Sequence, residues 1–169
     1  RPMWETLIAL PSGRSELDRM VDIDGTIVID DQTVYVATYQ GQTAAVDLFS
    51  GSILWRRDMS SYAGIGLDSS ALYVTDSESH VWALDRATSA SIWRQTGLQA
   101  RNLTPPVRFK DYVVVGDFDG YIHCLRRDDG GIVGRRRVDK DGIISAPVIG
   151  ENTLYIYSLS GTLTALEIQ

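Results

Sequence analysis

A chain of 169 residues, 44% hydrophobic and 22% charged, has the composition of a single globular domain and not of a disordered or collagen-like polymer. Its 16 basic and 22 acidic residues leave a net charge of −6, which excludes a general affinity for nucleic acid, a polyanion with one charge per ~1.7 Å of duplex. One cysteine, Cys124, and two histidines, His80 and His123, exclude an internal disulfide framework and a thiolate or polyhistidine zinc cage. No apolar stretch nears the ~20 residues of a membrane-spanning helix, and no basic region followed by an apolar run opens the chain. The expectation is a cytosolic chain or one taken from behind its leader.

In chain order, Met3–Ala9 with Trp4 reads first, as an outer β-strand without its blade. Ser15–Val21 offers the one short helical pattern, with Ser15 as N-cap and Asp18 three residues on. From there the chain repeats. Val34-Tyr35-Val36, Leu72-Tyr73-Val74, Val113-Val114-Val115 and Leu154-Tyr155-Ile156 have centres 38, 41 and 41 residues apart. At matched offsets follow Gly41, Ser79, Gly120 and Gly161, then Ala45, Ala83, Cys124 and Ala165, then Asp47, Asp85, Arg126 and Glu167. Trp55 and Trp93 close the first two copies, where the third has Gly134.

Within a copy the alternation is that of strands, with period two and β-branched and aromatic enrichment. In the first copy they read Thr26–Ile29, Thr33–Tyr39, Thr43–Leu48 and Ser52–Arg57. Four short antiparallel strands per ~40 residues is the arithmetic of a propeller blade. The fold expected is therefore all-β, a β-propeller of four blades of four antiparallel strands, half of an eight-bladed ring. Residues 1–10 would be the outer strand of a preceding blade and the blades 25–58, 63–96, 104–138 and 145–169. A β-sandwich is the competing reading, but it does not require residues to recur in register. Small residues at Ala63–Leu67 suit an inner strand near the ring axis, and Pro106 and Pro147 suit strand starts. Arginines on the outer strands (Arg56, Arg57, Arg94, Arg135, Arg136, Arg137) read as edge protection.

The motif Leu-Tyr-Val, Gly, Ala-Leu-Asp, Gly, Trp is similar to the pyrroloquinoline-quinone-type propeller repeat. Two stretches, Ser15–Asp24 and Val113–His123, resemble the BamB family of lipoproteins of the outer-membrane β-barrel assembly machinery. The resemblance covers the C-terminal half of that family's ring; the family's lipid-anchored cysteine and first four blades have no counterpart here. It implies a non-enzymatic scaffold on the periplasmic side of the outer membrane of a Gram-negative bacterium. The implied partners are the periplasmic POTRA repeats of BamA, other members of the assembly complex and unfolded outer-membrane proteins. Within the matching loop, Asp22 and Asp24, with Glu16 and Arg19, are the implied partner-binding residues.

The residues themselves carry little catalytic chemistry. Asp22–Gly25, Asp117–Gly120 and Asp139–Gly142 begin like calcium loops but lack the closing Glu, and read as Asp-rich turns. No triad can be assembled around His80 or His123, so no enzyme, metal or cofactor is expected; a quinoprotein enzyme fragment or a signalling propeller is the alternative. Up-and-down topology puts Asp22, Asp24, Asp76, Glu78, Asp117, Asp119, Asp139 and Asp141 on one face. That clustering suits electrostatic docking of a protein, with hydrogen bonding to loop N–H groups as the internal alternative. Four blades of about 45° would leave apolar flanks open, so self-association of two copies into a ring is expected, with a squeezed four-bladed monomer as the alternative.

Overall fold

The computed structural model describes residues 1–8, 27–39 and 41–167. Every regular element among them is a β-strand. Blade 1 comprises β1 (Val28–Asp30), β2 (Thr33–Ala37), β3 (Gln42–Asp47) and β4 (Ile53–Asp58). Blade 2 is β5 (Gly64–Leu67), β6 (Ala71–Thr75), β7 (Val81–Asp85) and β8 (Ser91–Gln95). Blade 3 is β9 (Val107–Phe109), β10 (Tyr112–Gly116), β11 (Tyr121–Arg126) and β12 (Ile132–Arg137), and blade 4 is β13 (Val148–Gly150), β14 (Thr153–Tyr157) and β15 (Leu163–Glu167). In each sheet strands pair in sequence order and antiparallel, four to a sheet in blades 1 to 3 and three in blade 4. The all-β propeller architecture follows the repeat copy by copy.

The repeat also fixes an irregularity. Between the third and fourth strands of each four-stranded blade the register shifts at the same place: Ala45/Val46, Ala83/Leu84 and Cys124/Leu125. The unpaired residue of each bulge, Leu54, Ile92 or Val133, is exposed. A bulge bends and twists the edge strand, which discourages pairing with another chain.

Three apolar cores lie between successive blades. Tyr35, Ala45 and Trp55 pack with Ile65, Leu72, Val74 and Leu84 between blades 1 and 2. Tyr73, Ala83 and Trp93 pack with Leu103, Val113, Val115 and Leu125 between blades 2 and 3. Phe109, Val114 and Ile122 pack with Ile143, Leu154 and Ile156 between blades 3 and 4. Trp55 and Trp93 are 9% and 8% exposed, buried at the junctions between blades. Near the axis, a Cβ at Gly66 would overlap the Pro106 carbonyl oxygen, the crowding expected of inner strands. Pro106 and Pro147 stand immediately before β9 and β13, where a missing N–H costs least.

A clasp that the sequence did not reveal joins neighbouring blades. The Trp55 indole N–H donates to the Arg86 carbonyl at 2.8 Å and that of Trp93 to the Arg127 carbonyl at 2.7 Å. The two arginines reach back. Arg86 bonds the Tyr35 hydroxyl at 3.3 Å and pairs with Asp30, while Arg127 bonds Asp68 and Ser70, each at 2.8 Å. Asp68 also accepts from the Tyr73 hydroxyl at 2.8 Å and from the Ser70 and Ala71 N–H groups. Burial pushes the Asp68 carboxyl up, but those hydrogen bonds outweigh it and hold the group far below the carboxylate range. Burial and the Asp68 charge push the Tyr73 phenol up to about 12.

Residues 1–8, expected to lie in an outer strand, form no ladder with any strand among the described residues. Trp4 nonetheless acts as an outer-strand tryptophan, its indole N–H donating to the Leu48 carbonyl at 2.9 Å. Leu48, Arg86 and Arg127 are counterparts in the repeat, so residues 1–8 sit where a preceding blade would place them. The helical turn expected at Ser15–Val21 lies outside the described residues.

Candidate docking face

The connections into the inner strands and the turns between second and third strands share one face. Asp22, Asp24, Glu16 and Arg19 lie outside the described residues. The other carboxylates of the face divide into two kinds. Asp76, Asp117 and Asp139 point inward. Asp76 accepts from the His80 and Glu78 N–H groups at 2.9 and 3.0 Å and from the Trp82 indole at 2.8 Å. Asp117, 0% exposed, accepts from the Asp119 and Tyr121 N–H groups at 3.0 and 2.9 Å, from Arg101 at 2.8 Å and from His123 Nε2 at 2.7 Å. Asp139 accepts from the Ser158 hydroxyl at 2.6 Å and from the Ser160 hydroxyl. By contrast Glu78 and Asp119, with side chains 63% and 64% exposed, and Asp141 face solvent.

The inward set is a device of the repeat. Thr38, Asp76, Asp117 and Ser158 are counterparts, and the first three each accept the N–H four residues on, from Gln42, His80 and Tyr121. These side chains close the turn that carries the chain between second and third strands. Burial pushes the Asp117 carboxyl up, but bonds from His123, the Tyr121 N–H and Arg101 outweigh it and leave it below the usual carboxylate range. For Asp139 the Ser158 and Ser160 hydroxyls lead, and the group is held well below that range.

The face is also less uniformly acidic than the carboxylate tally implied. Arg57 and Arg94 stand 5.0 and 4.6 Å from the centroid of the Trp82 ring. Arg135 and Arg137 each stand 5.5 Å from the Tyr121 centroid. The arginines expected only as edge guards therefore also brace aromatic rings by cation–π contact. Between blades 1 and 2, Arg57, Met59, Asp76, Glu78 and Trp82 line a cleft of 260 Å³. Among the described residues no three His, Cys, Asp or Glu gather closely enough to hold a metal ion.

Comparison with known proteins decides the family. The sequence profile described as "Outer membrane protein assembly factor BamB" matches residues 1–95, more than half of the chain. The chain belongs to the BamB family. It is 43% identical over 168 residues to the outer membrane protein assembly factor BamB of Pseudomonas aeruginosa, covering 99% of this chain and 44% of that protein. To the BamB of Xanthomonas campestris it is 38% identical, covering 99% and 41%. It thus spans less than half the length of these relatives. The crystal structure of BamB from Moraxella catarrhalis superposes with a TM-score of 0.91 at 31% identity, over 99% of this chain and 50% of that one. A quinohemoprotein alcohol dehydrogenase from Comamonas testosteroni shares the fold, with a TM-score of 0.68 at 19% identity, too distant to carry its chemistry across to a BamB chain.

Proposed function

We propose that this chain is a non-enzymatic scaffold of the outer-membrane β-barrel assembly machinery, on the periplasmic side of a Gram-negative outer membrane. Its loop face would dock the POTRA repeats of BamA through Asp22 and Asp24, with Glu16 and Arg19 in the same loop. Membership of a family named for outer-membrane protein assembly carries the reading. Other assembly subunits and unfolded outer-membrane proteins are the further partners proposed. The saturated carboxylates favour a scaffold over an enzyme: Asp76, Asp117 and Asp139 are held by two or more hydrogen bonds each, so none is a free acid or base.

The docking test compares two charge removals. Asp22→Asn with Asp24→Asn is expected to weaken binding to purified BamA periplasmic repeats by about thirtyfold or more, the lower end of ~2–5 kcal/mol for a desolvated interfacial charge. The control is Glu78→Gln with Asp119→Asn, solvent-facing on the same face. Asp117 does not serve, because it is buried under His123 and Arg101. Equal weakening by both pairs, vanishing in high salt, would overturn a localised site.

Self-association is part of the same proposal. The outer edge of β15 has no strand beside it among the described residues, and residues 1–8 already hold the position of a preceding blade's outer strand. A second copy's residues 1–8 against β15 would extend both half rings toward closure.

A further inference from the structure

Blades 2 and 3 carry different rings at one register. Trp82 pairs with Val74 and Arg94, and His123 with Val115 and Arg135. Each ring turns an N–H to the carboxylate that closes its own turn, the Trp82 indole to Asp76 Oδ2 at 2.8 Å and His123 Nε2 to Asp117 Oδ2 at 2.7 Å. Matching the two five-membered rings atom for atom on that shared bond puts His123 Nδ1 where Trp82 has Cδ2, a carbon from which its six-membered ring extends. His123 has no second ring. Its Nδ1 is enclosed without a hydrogen-bond partner, the one such side-chain nitrogen or oxygen among the described residues, on a side chain 1% exposed. A cleft of 380 Å³ lies against the residue.

The walls of the cleft select a ligand. The Asp117 carboxylate accepts from Nε2, so in the neutral imidazole the proton sits on Nε2 and Nδ1 offers a lone pair. An enclosed lone pair with no donor is a cost carried by the fold. Leu98, Ile132 and Val133 give the cleft apolar walls, Arg101 and Arg135 also line it, and no carboxylate does. Arg101 is committed to Asp117 and Asp119 at 2.8 and 3.4 Å, and Arg135 stands 5.5 Å from the Tyr121 centroid, so neither selects a free anion. The unmet need is one hydrogen-bond donor beside an apolar space, flanked by guanidinium groups that favour aromatic faces. We propose that this cleft between blades 2 and 3 binds a phenol, whose hydroxyl donates to His123 Nδ1. The phenol ring takes the volume that the six-membered ring of Trp82 fills in the preceding blade. An apolar cavity of about 150 Å³ holds benzene, so the cleft has room for it.

The probe is p-cresol, and the signal is the nitrogen-15 resonance of His123 Nδ1. Binding with a Kd of about 1 mM or tighter is expected for a ligand of this size. It should move Nδ1 upfield saturably, as a new hydrogen bond to the lone pair does, and leave Nε2 in place. 4-Methylanisole, the same ring without an O–H, should bind about tenfold or more weakly. N-acetyl-tyrosinamide separates the sources: binding as strong as that of p-cresol assigns the seat to a tyrosine side chain of a partner protein, and its exclusion assigns the seat to a free phenol. His123→Trp should fold, keep an N–H for Asp117 and lose p-cresol. No saturable shift of Nδ1 at about 10 mM p-cresol would overturn the proposal, as would equal binding of 4-methylanisole. A His123→Trp chain that still binds p-cresol, or that fails to fold because the cleft does not accept a second ring, would overturn it too. No arm uses BamA, so failure here leaves the docking reading untouched.

Discussion

Trp93→Ala is the substitution with the most to remove. The ring is 8% exposed, stands 6.0 Å from the Tyr73 ring and packs in the same core as Ala83, Leu98 and Leu125. A buried tryptophan removes ~150–250 Å² from water, which at ~25 cal/mol per Å² comes to about 4–6 kcal/mol. A compact unfolded state takes back a tenth or more of that, so the expected loss is ~3–5 kcal/mol, the range measured for Trp→Ala in cores. Trp93→Phe separates the ring from its N–H. It keeps most of the apolar contact and gives up the 2.7 Å bond to the Arg127 carbonyl, at a cost of ~1–2 kcal/mol. Urea titrations followed by far-ultraviolet circular dichroism give both values from the midpoints, provided the slope is unchanged. A loss below ~1 kcal/mol for Trp93→Ala would refute the inter-blade wedge.

Asp68→Asn should destabilise the protein by about 3 kcal/mol at neutral pH, because it uncouples Arg127 and Tyr73 from a side chain 2% exposed. Its native carboxyl titrates below the ordinary unfolded value near ~3.9, so the stabilisation is present above that value and fades as pH falls through the native one; stability curves of the two chains should converge in acid. Gly130→Ala places a Cβ on a residue at φ 71 and against the Trp93 ring, and should cost ~2–4 kcal/mol by thermal melting; a loss under ~0.5 kcal/mol would contradict the close approach. Light scattering of the 169-residue chain should give twice the monomer mass at high concentration, and Leu163→Lys on the exposed edge strand β15 should lower it toward one; a monomer at every concentration would sink the ring closure.

Legibility followed the repeat. The period in Tyr35, Tyr73, Val114 and Tyr155 placed all four second strands, because a side chain facing the next blade must recur wherever a blade recurs. The same logic placed Trp55 and Trp93 in the core. The clasp of Arg86 and Arg127 was less legible, although both follow Asp85 and Arg126 in register. Its indole acceptors are backbone carbonyls, which leave no mark in a residue pattern, and the arginines reach carboxylates and hydroxyls distant in sequence. The acidic face was legible as a set and not in its parts. Asp117 and Asp119 are two residues apart and chemically alike in sequence, yet one is sealed and the other solvated. Strand alternation and the tight turn decide which carboxylate folds back over the N–H groups.

That division bears on how such a face takes a partner. A carboxylate already holding N–H groups and an arginine, as Asp117 does, has spent its acceptor capacity within its own turn. Binding a cation there would break bonds worth as much as those it made. The solvated carboxylates differ: they offer long-range attraction with little desolvation loss, suited to faster encounter more than to tighter grip. A face built on this repeat therefore needs a third element for affinity, a loop whose charges are not consumed by a turn, or an apolar seat. The segment between Ile8 and Ile27, longer than the connection between blades 1 and 2, carries Glu16, Arg19, Asp22 and Asp24, the residues proposed above for the first. In structure, Gly134 stands where the first two blades carry tryptophan, and an apolar wedge is left beside it. Both arise where the chain departs from its own period. In a molecule whose stability is a sum of repeated contacts, departures are the places where side chains are free to serve something else.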